Sequence, residues 1–392
     1  MPQQLVGLLS AMSVVTRRFR LVASTTAAVI LFFVFLEVTH HEGAAVPSPL
    51  RSILPNNHDS DPGAESASNV NWSKFAYVQY VTNSDYLCNS VMLFETLHRL
   101  GSRPDRLLMY PSSMMAANTP VDHSNDARLL VKARNEYNVR LRPIEIQHRS
   151  NLDRKSTCMS CTCETRDRIT KRPFSVATWA DSFTKLLAFN QTDYHRVLSL
   201  DSDATVLRPM DELFLLPSSP VAMPRAYWLY PDKQILSSQL MLVQPSVAEF
   251  GRVMNETSRA GADDYDMEIV NKLYKDQALV LPHRPYDMLT AEFRTDEHAQ
   301  YLGSDDEEWD PLAILGEAKF LHFSDWPVPK PWIQMSDSVR NQKQPRCHQD
   351  RDGVESCVER DLWNGFYQDF AQRRERVCSL KLTTLTHKAS GR

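Results

Sequence analysis

Short apolar segments, rich in β-branched and aromatic residues, alternate with helical segments through the first half of the chain, and this alternation limits the fold more than any other feature. It predicts an α/β structure with a mostly parallel, doubly wound sheet and helices on both faces. Such sheets bind ligands at the carboxyl ends of their strands, so a functional site is expected there. The predicted strands cover 75–82, 106–110, 139–146 and 195–200, and the predicted helices run from a cap at Asn83 to Gly101, over 126–137 and over 175–189.

An acidic motif marks one of these strand ends. Asp-x-Asp occurs four times, at 59/61, 201/203, 264/266 and 350/352, so the triplet alone identifies nothing. Only Asp201-Ser202-Asp203 directly follows a strand-like run, at 196–200. Two carboxylates on a short turn at the ligand-binding edge suit Mg²⁺ or Mn²⁺, which can also hold a diphosphate. The alternative interpretation is a solvated turn in which Asp203 caps a helix.

A second polar pair lies further along the chain, in the segment 321–332. His322 could complete a metal site begun by two aspartates, because neutral imidazole is a common ligand of divalent metals. Lys330, eight residues later, could place a point charge on a diphosphate oxygen. Alternatively, His322 is a hydrogen-bonded core histidine and Lys330 is a surface charge in a proline-rich loop.

Several segments form an ordered set with a known counterpart. In chain order they are 77–83 at the first strand, 185–190 and 198–203 around the fourth, and then 271–274, 281–286 and 322–332. Together they resemble glycosyltransferase family 8, the family of glycogenin and of bacterial galactosyltransferases. The resemblance spans about 75–335 and is closest to the fungal α-N-acetylglucosaminyltransferase branch.

The resemblance implies a GT-A fold and a UDP-sugar donor. It implies that Asp201, Asp203 and His322 bind Mn²⁺, or Mg²⁺ in its place. The residues that it places against the donor are Thr82 and Asn83 in the nucleotide-binding first loop, Lys185, and Lys330 at the diphosphate.

Two departures from the family pattern concern the donor sugar. The chain reads Ser237-Ser238-Gln239 where many members have Asn-Ser-Gly, and Asp266-Met267 where they have Asp-Gln. Ser238 and Gln239 could leave room for an N-acetyl group and hydrogen-bond its carbonyl, so N-acetylglucosamine is the expected sugar. Alternatively, Gln239 merely lines the strand and packs against the next helix.

Retention of configuration, and so an α-linkage, is also implied by the resemblance. The metal and Lys330 would stabilise the leaving diphosphate. Asp264 and Asp266 are the nearest candidates for a carboxylate beside the sugar, either as a covalent nucleophile or beside a front-face attack. A nucleotide-sugar hydrolase and a catalytically silent scaffold with the same fold are the alternative functions.

The N-terminus predicts a membrane anchor. Arg17, Arg18 and Arg20 precede an uncharged run at 21–36, and Glu37 ends it. The positive-inside rule then predicts a cytosolic tail at 1–20, an anchor at 21–38 and a lumenal remainder. A cleaved signal peptide is the alternative. The expected location is the Golgi membrane, as a single-pass type II protein.

The remaining segments divide the chain further. The Pro-, Ser- and Asp-rich stretch 39–71 predicts a flexible stem, followed by a catalytic domain at 72–335 and an extension at 336–392. Seven cysteines in an oxidising compartment favour disulfides, with one left over. The clustered Cys158, Cys161 and Cys163 could bind zinc, although bridging is the favoured interpretation.

The charge of the chain bears on its partners. A formal net charge of −4 does not indicate nucleic-acid binding, which requires a clustered basic surface. The expected partners are a nucleotide-sugar donor, a glycan acceptor, with mannose-containing glycans among the candidates, and a membrane through the anchor.

Overall fold

A computed structural model of the chain describes residues 70–115, 124–147, 181–230, 233–261, 263–349, 353 and 355–384. The predicted tail and anchor, nearly all of the predicted stem, and Cys158, Cys161 and Cys163 lie outside the described residues. Within these ranges, no helix combines the length and the apolar composition that crossing a membrane requires.

A seven-stranded sheet forms the centre of the fold. The strands in chain order are β1 (Phe75–Tyr80), β2 (Asp105–Pro111), β3 (Val139–Ile144), β4 (Arg196–Leu200), β5 (Ala204–Val206), β6 (Val221–Pro224), β7 (Leu240–Val243), β8 (Leu279–Leu281), β9 (Met288–Leu289), β10 (Phe320–His322), β11 (His348–Gln349) and β12 (Glu355–Ser356). The large sheet has the order β3-β2-β1-β4-β7-β6-β8, and β5-β10-β9 form a smaller one. The four strands predicted from the sequence, β1 to β4, form the parallel half of the large sheet. Beyond them β7 runs antiparallel to β4, so the sheet is mixed but mostly parallel, as expected.

Helices cover both faces of this sheet. In chain order they are α1 (Ser84–Arg99), α2 (Asn125–Tyr137), α3 (Val247–Thr257), α4 (Asp266–Tyr274), α5 (His283–Tyr286), α6 (Ala299–Leu302), α7 (Pro311–Glu317), α8 (Asp337–Lys343) and α9 (Val358–Cys378). The predicted cap of α1 is confirmed, because the Asn83 side chain accepts hydrogen bonds from the N–H groups of Asp85 and Tyr86. Gly101 follows this helix with a φ of +69°, a left-handed conformation that glycine adopts without strain.

The strands alternate between two apolar cores. Tyr77 and Leu198 face one core, which they share with α1, α2 and α9. Ala76, Val78 and Val197 face the other, which they share with α3, α4 and the helix that precedes β4. This period of two is what a strand buried on both faces produces, and it confirms helices on both sides of the sheet.

The helix predicted at 175–189 differs in type where it is described. Ser182–Asn190 is a 3₁₀ helix, in which residues three apart lie above one another. Ser182 and Lys185 therefore point the same way, and both contact Asp266 at the start of α4. A regular α-helix would rotate these two side chains apart by about 60°.

The C-terminal helix α9 joins the core of the sheet. Its Trp363 and Phe370 are fully buried, and a disulfide links Cys378 at its end to Cys88 in α1. A second disulfide joins Cys347 and Cys357. The part of the predicted extension 336–392 that is described here thus shares one core with α1.

Candidate active site

The acidic motif lies where the sequence predicted, at the carboxyl end of β4. The Asp201 N–H donates to the Gln239 carbonyl at 2.9 Å, which fixes the start of the turn. Asp203 directly precedes β5, so the alternative in which it caps a helix is wrong. β10 pairs antiparallel with β5, with His322 opposite Ala204, and this register brings His322 to the motif.

Asp201, Asp203 and His322 form a group that fits a divalent metal. One ligand atom from each lies within 4.8 Å of the others. His322 Nε2 lies 3.1 Å from Asp203 Oδ1 and 3.7 Å from Asp201 Oδ2. The other ring nitrogen of His322 is buried and has no hydrogen-bond partner among the described residues. Two hard carboxylates and one imidazole are a donor set that suits Mn²⁺ or Mg²⁺.

Lys330 also reaches this group of side chains. Its Nζ donates to Asp203 Oδ2 at 2.5 Å and to the Phe323 carbonyl at 3.2 Å. Burial alone would raise the pKa of Asp203, but the Lys330 ammonium, with the hydrogen bonds from Lys330 and His322, outweighs it and holds that pKa well below its usual range. Asp201 has the opposite shift, because burial raises its pKa and Lys185 only partly opposes the rise.

Lys185 connects the acidic motif to the start of α4. Its buried Nζ donates to Asp266 Oδ2 at 2.8 Å and to the Ser238 carbonyl at 3.2 Å. It also lies 2.7 Å from Asp201 Oδ1, as an ion pair without good hydrogen-bond alignment. Burial would lower the pKa of Lys185, but Asp201 and Asp266 outweigh it and raise that pKa well above its usual value. The Ser238 hydroxyl completes the set by donating to Asp266 Oδ2 at 2.7 Å.

The two candidate nucleophiles separate in the structure. Asp266 belongs to the Lys185 cluster. Asp264 Oδ2 accepts instead from Lys272 Nζ at 2.6 Å and from the Gly261 N–H at 2.7 Å. The geometry therefore favours Asp266 over Asp264 as the carboxylate of the site.

The remaining predicted donor contacts lie near the same edge. Thr82 and Asn83 follow β1, and Asn83 is occupied as the cap of α1. Gln239 directly precedes β7, and its side-chain Oε1 is buried with no partner in the described part of the chain. An unpaired buried acceptor costs free energy, so Gln239 Oε1 is available to a ligand donor.

Sequence reasoning missed two groups of this site. Gln79 in β1 is buried, donates to the Leu200 carbonyl at 2.7 Å and accepts from Ser90 at 3.0 Å, which fixes the end of β4. Asp287 is fully buried, and burial raises its pKa to about 8 against the opposing effect of Ser237. A glutamine within an otherwise mostly apolar strand was the sequence signal that could have identified Gln79.

Comparison with curated proteins gives the family. The chain is 58% identical over 312 residues to the protein named glucose N-acetyltransferase 1 of Gibberella zeae, covering 79% of this chain and 63% of that protein. It is 40% identical over 365 residues to the Aspergillus fumigatus protein of that name, covering 88% of this chain and 84% of that one. The Saccharomyces cerevisiae protein of the same name is 24% identical over 432 residues, covering 79% of this chain and 82% of that one. No profile of a known protein family matches.

Solved structures that resemble the chain do so at low identity. The bifunctional glycosyltransferase WbbM has a TM-score of 0.47 and 16% identity, covering 79% of this chain and 51% of that one. The galactosyltransferase LgtC, bound to donor and acceptor sugar analogues, has a TM-score of 0.44 and 13% identity, covering 80% of this chain and 98% of that one.

The chain belongs to the family of fungal proteins named glucose N-acetyltransferase 1. This membership confirms the predicted resemblance to the fungal branch. The chain spans about two thirds of the length of the Gibberella protein, at 63%, and more of the Aspergillus one.

The buried position of Lys185 leads to a prediction about stability. Lys185→Met leaves Asp201 and Asp266 buried without their cation, so we expect the free energy of unfolding to fall by about 3–5 kcal/mol. Urea denaturation in metal-free buffer measures it.

Lys272→Met is the matched control, because Lys272 also pairs with an aspartate but has a side chain that is 45% exposed. An exposed pair contributes only about 0–1 kcal/mol. Equal losses in the two variants would show that the Lys185 cluster is not a buried charge network.

Proposed function

We propose that this chain is a metal-dependent, retaining glycosyltransferase of GT-A fold that moves a sugar from a UDP-sugar to a glycan acceptor. The observation that supports it most is the convergence of Asp201, Asp203, His322 and Lys330 at the carboxyl end of β4. A catalytically silent scaffold has no need of two carboxylates, an imidazole and a lysine at one sheet edge.

The proposed roles follow from the charges of the reaction. Cleavage of the anomeric bond builds negative charge on the leaving diphosphate and positive charge on the sugar ring. A divalent metal held by Asp201, Asp203 and His322 would supply positive charge to the diphosphate. Lys330 lies on the same carboxylate and is partly exposed, so its ammonium would donate to a diphosphate oxygen beside that site.

Asp266 would act on the donor sugar rather than on the diphosphate. Its Oδ2 accepts hydrogen bonds from both Lys185 and Ser238. Two donors, one of them cationic, lower the nucleophilicity of that oxygen and favour a fixed negative charge. We therefore favour front-face attack by the acceptor, with Asp266 stabilising the positive charge of the sugar ring.

The first test combines turnover with metal binding. The full chain, incubated with Mn²⁺, UDP-N-acetylglucosamine and mannose-containing glycans, should release UDP and transfer the sugar. Asp203→Asn should lower transfer by about 10²–10³-fold, the typical effect of removing a group that stabilises transition-state charge. It should also abolish the rise in melting temperature that Mn²⁺ gives the unaltered chain, because a ligand stabilises only the state that binds it.

Asp276→Asn, on the exposed turn after α4, is the control for a lost carboxylate and should change neither readout. Full UDP release without any acceptor would instead identify a nucleotide-sugar hydrolase. Mn²⁺-dependent turnover that survives in Asp203→Asn at the normal rate would refute the metal assignment.

The donor sugar is tested at Gln239. We propose N-acetylglucosamine, because the unpaired Gln239 Oε1 could accept from the N–H of an acetamido group. Gln239→Ala should then lower kcat/KM for UDP-N-acetylglucosamine at least about tenfold more than for UDP-glucose. Gln244→Ala, an exposed glutamine just after β7, should alter neither. Equal losses on both donors would remove Gln239 from sugar selection.

The location remains a proposal supported by the sequence alone. The arginines before residues 21–36 favour a Golgi type II protein with a lumenal catalytic domain. Added protease should therefore leave residues 70–384 intact in sealed microsomes until detergent is present. Cleavage without detergent would place the domain on the cytosolic side.

A further inference from the structure

A tight turn between His322 and Lys330 exposes a tryptophan. The Val328 N–H donates to the Asp325 carbonyl at 2.8 Å and closes the turn, which holds Trp326 at its tip. Trp326 is 88% exposed, more than any other large apolar side chain of the described residues. The turn thus places an indole in solvent within the segment that supplies a metal-site histidine and the lysine.

Hydrogen bonds to the Asp325 side chain and to the Trp326 carbonyl hold the turn. The buried carboxylate of Asp325 accepts from Trp363 Nε1 at 2.6 Å and from Tyr367 OH at 3.0 Å, both on α9. It also accepts from Arg294 Nε at 2.5 Å, and another Arg294 nitrogen donates to the Trp326 carbonyl at 3.3 Å. The three hydrogen bonds to the Asp325 carboxylate and the one to the Trp326 carbonyl fix the turn, while the indole itself is left uncovered.

The turn is tied to the metal site on its other side. The Phe323 N–H donates to the Asp203 carbonyl at 2.8 Å, and Lys330 donates to the Phe323 carbonyl at 3.2 Å. The backbone of the turn is therefore held against Asp203. An exposed aromatic ring on a fixed backbone is a suitable anchor for a ligand, because only two side-chain torsions are immobilised when a ligand contacts it.

The chemistry of an exposed indole next to this site identifies its ligand. The face of the ring is apolar and carries a negative quadrupole, which attracts the weakly positive C–H groups on one face of a pyranose ring. The donor sugar is expected against the buried groups Lys185, Ser238 and Asp266. An acceptor, in contrast, must approach from solvent, where Trp326 lies.

We propose that Trp326 is the stacking surface for a pyranose ring of the acceptor glycan. The proposal rests on the proposed function, since it places the acceptor beside the leaving diphosphate. It adds a binding residue that lies outside the metal and donor groups and makes acceptor recognition separable from donor binding.

The test measures binding of simple glycosides to the full chain in the presence of UDP and Mn²⁺. Calorimetry with methyl α-mannopyranoside, methyl β-glucopyranoside and methyl β-galactopyranoside should detect binding of at least one. Trp326→Ala should raise its dissociation constant at least about tenfold, the usual cost of truncating an aromatic anchor. Trp326→Phe should restore part of the affinity, and mannitol, which has no ring face, should not bind.

Leu312→Ala is the matched control, because Leu312 is another exposed apolar side chain, at 60% exposure. It should bind the glycosides as the unaltered chain does, and all variants should keep their melting temperature. Equal glycoside affinity in Trp326→Ala and the unaltered chain, or no binding of any of the three, would overturn the proposal. The affinity of each variant for UDP is measured in parallel. If the unaltered chain does not bind UDP, the proposed function is wrong. If UDP binds and Trp326→Ala leaves the glycoside affinity unchanged, only the role of Trp326 is wrong.

Discussion

Two lysines balance three carboxylates at the carboxyl edge of the sheet, and the site depends on this balance. Lys185 lies between Asp201 and Asp266, and Lys330 lies on Asp203. A carboxylate removed from water without a partner costs several kcal/mol, so these acids could not be held at the sheet edge, largely buried, without nearby cations. The two lysines are far apart in the sequence. Lys185 belongs to the 3₁₀ helix before β4, and Lys330 belongs to the loop after β10.

The two lysines differ in a way that separates their roles. The Lys185 side chain is 4% exposed and contacts two carboxylates and a carbonyl, whereas the Lys330 side chain is 31% exposed. A buried ammonium that donates to Asp266 and to the Ser238 carbonyl and is ion-paired with Asp201 is fully surrounded by negative and polar groups of the protein. Lys185 is therefore a fixed counterion of the site. Lys330 keeps access to solvent, which is what a group that contacts an incoming diphosphate requires.

Much of the fold was predictable because its signals are local. A buried strand followed by a capped helix can be recognised from neighbouring residues, and this was enough to find the four parallel strands and to select Asp201 and Asp203 among four copies of the motif. His322 and Lys330 were suggested as partners of the motif by their chemistry, and the family resemblance was needed to favour that interpretation over a core histidine and a surface lysine. The contact depends on the antiparallel pairing of β5 with β10, and those strands are more than 100 residues apart.

The other features of the fold and of the site could not be predicted, because they depend on the type of a helix and on contacts between residues far apart in the sequence. Asp264 and Asp266 are two residues apart and equally acidic, and only the turn before α4 decides that one contacts Lys185 and the other Lys272. Spacing alone likewise could not show that Cys378 bonds to Cys88 across 290 residues, or that α9 would supply Trp363 and Tyr367 to Asp325. A buried carboxylate selects whichever donors the tertiary fold brings to it, and sequence proximity does not determine which those are. For this reason Asp325 had no assigned role within a matched segment, although the turn beside Asp203 and His322 depends on it.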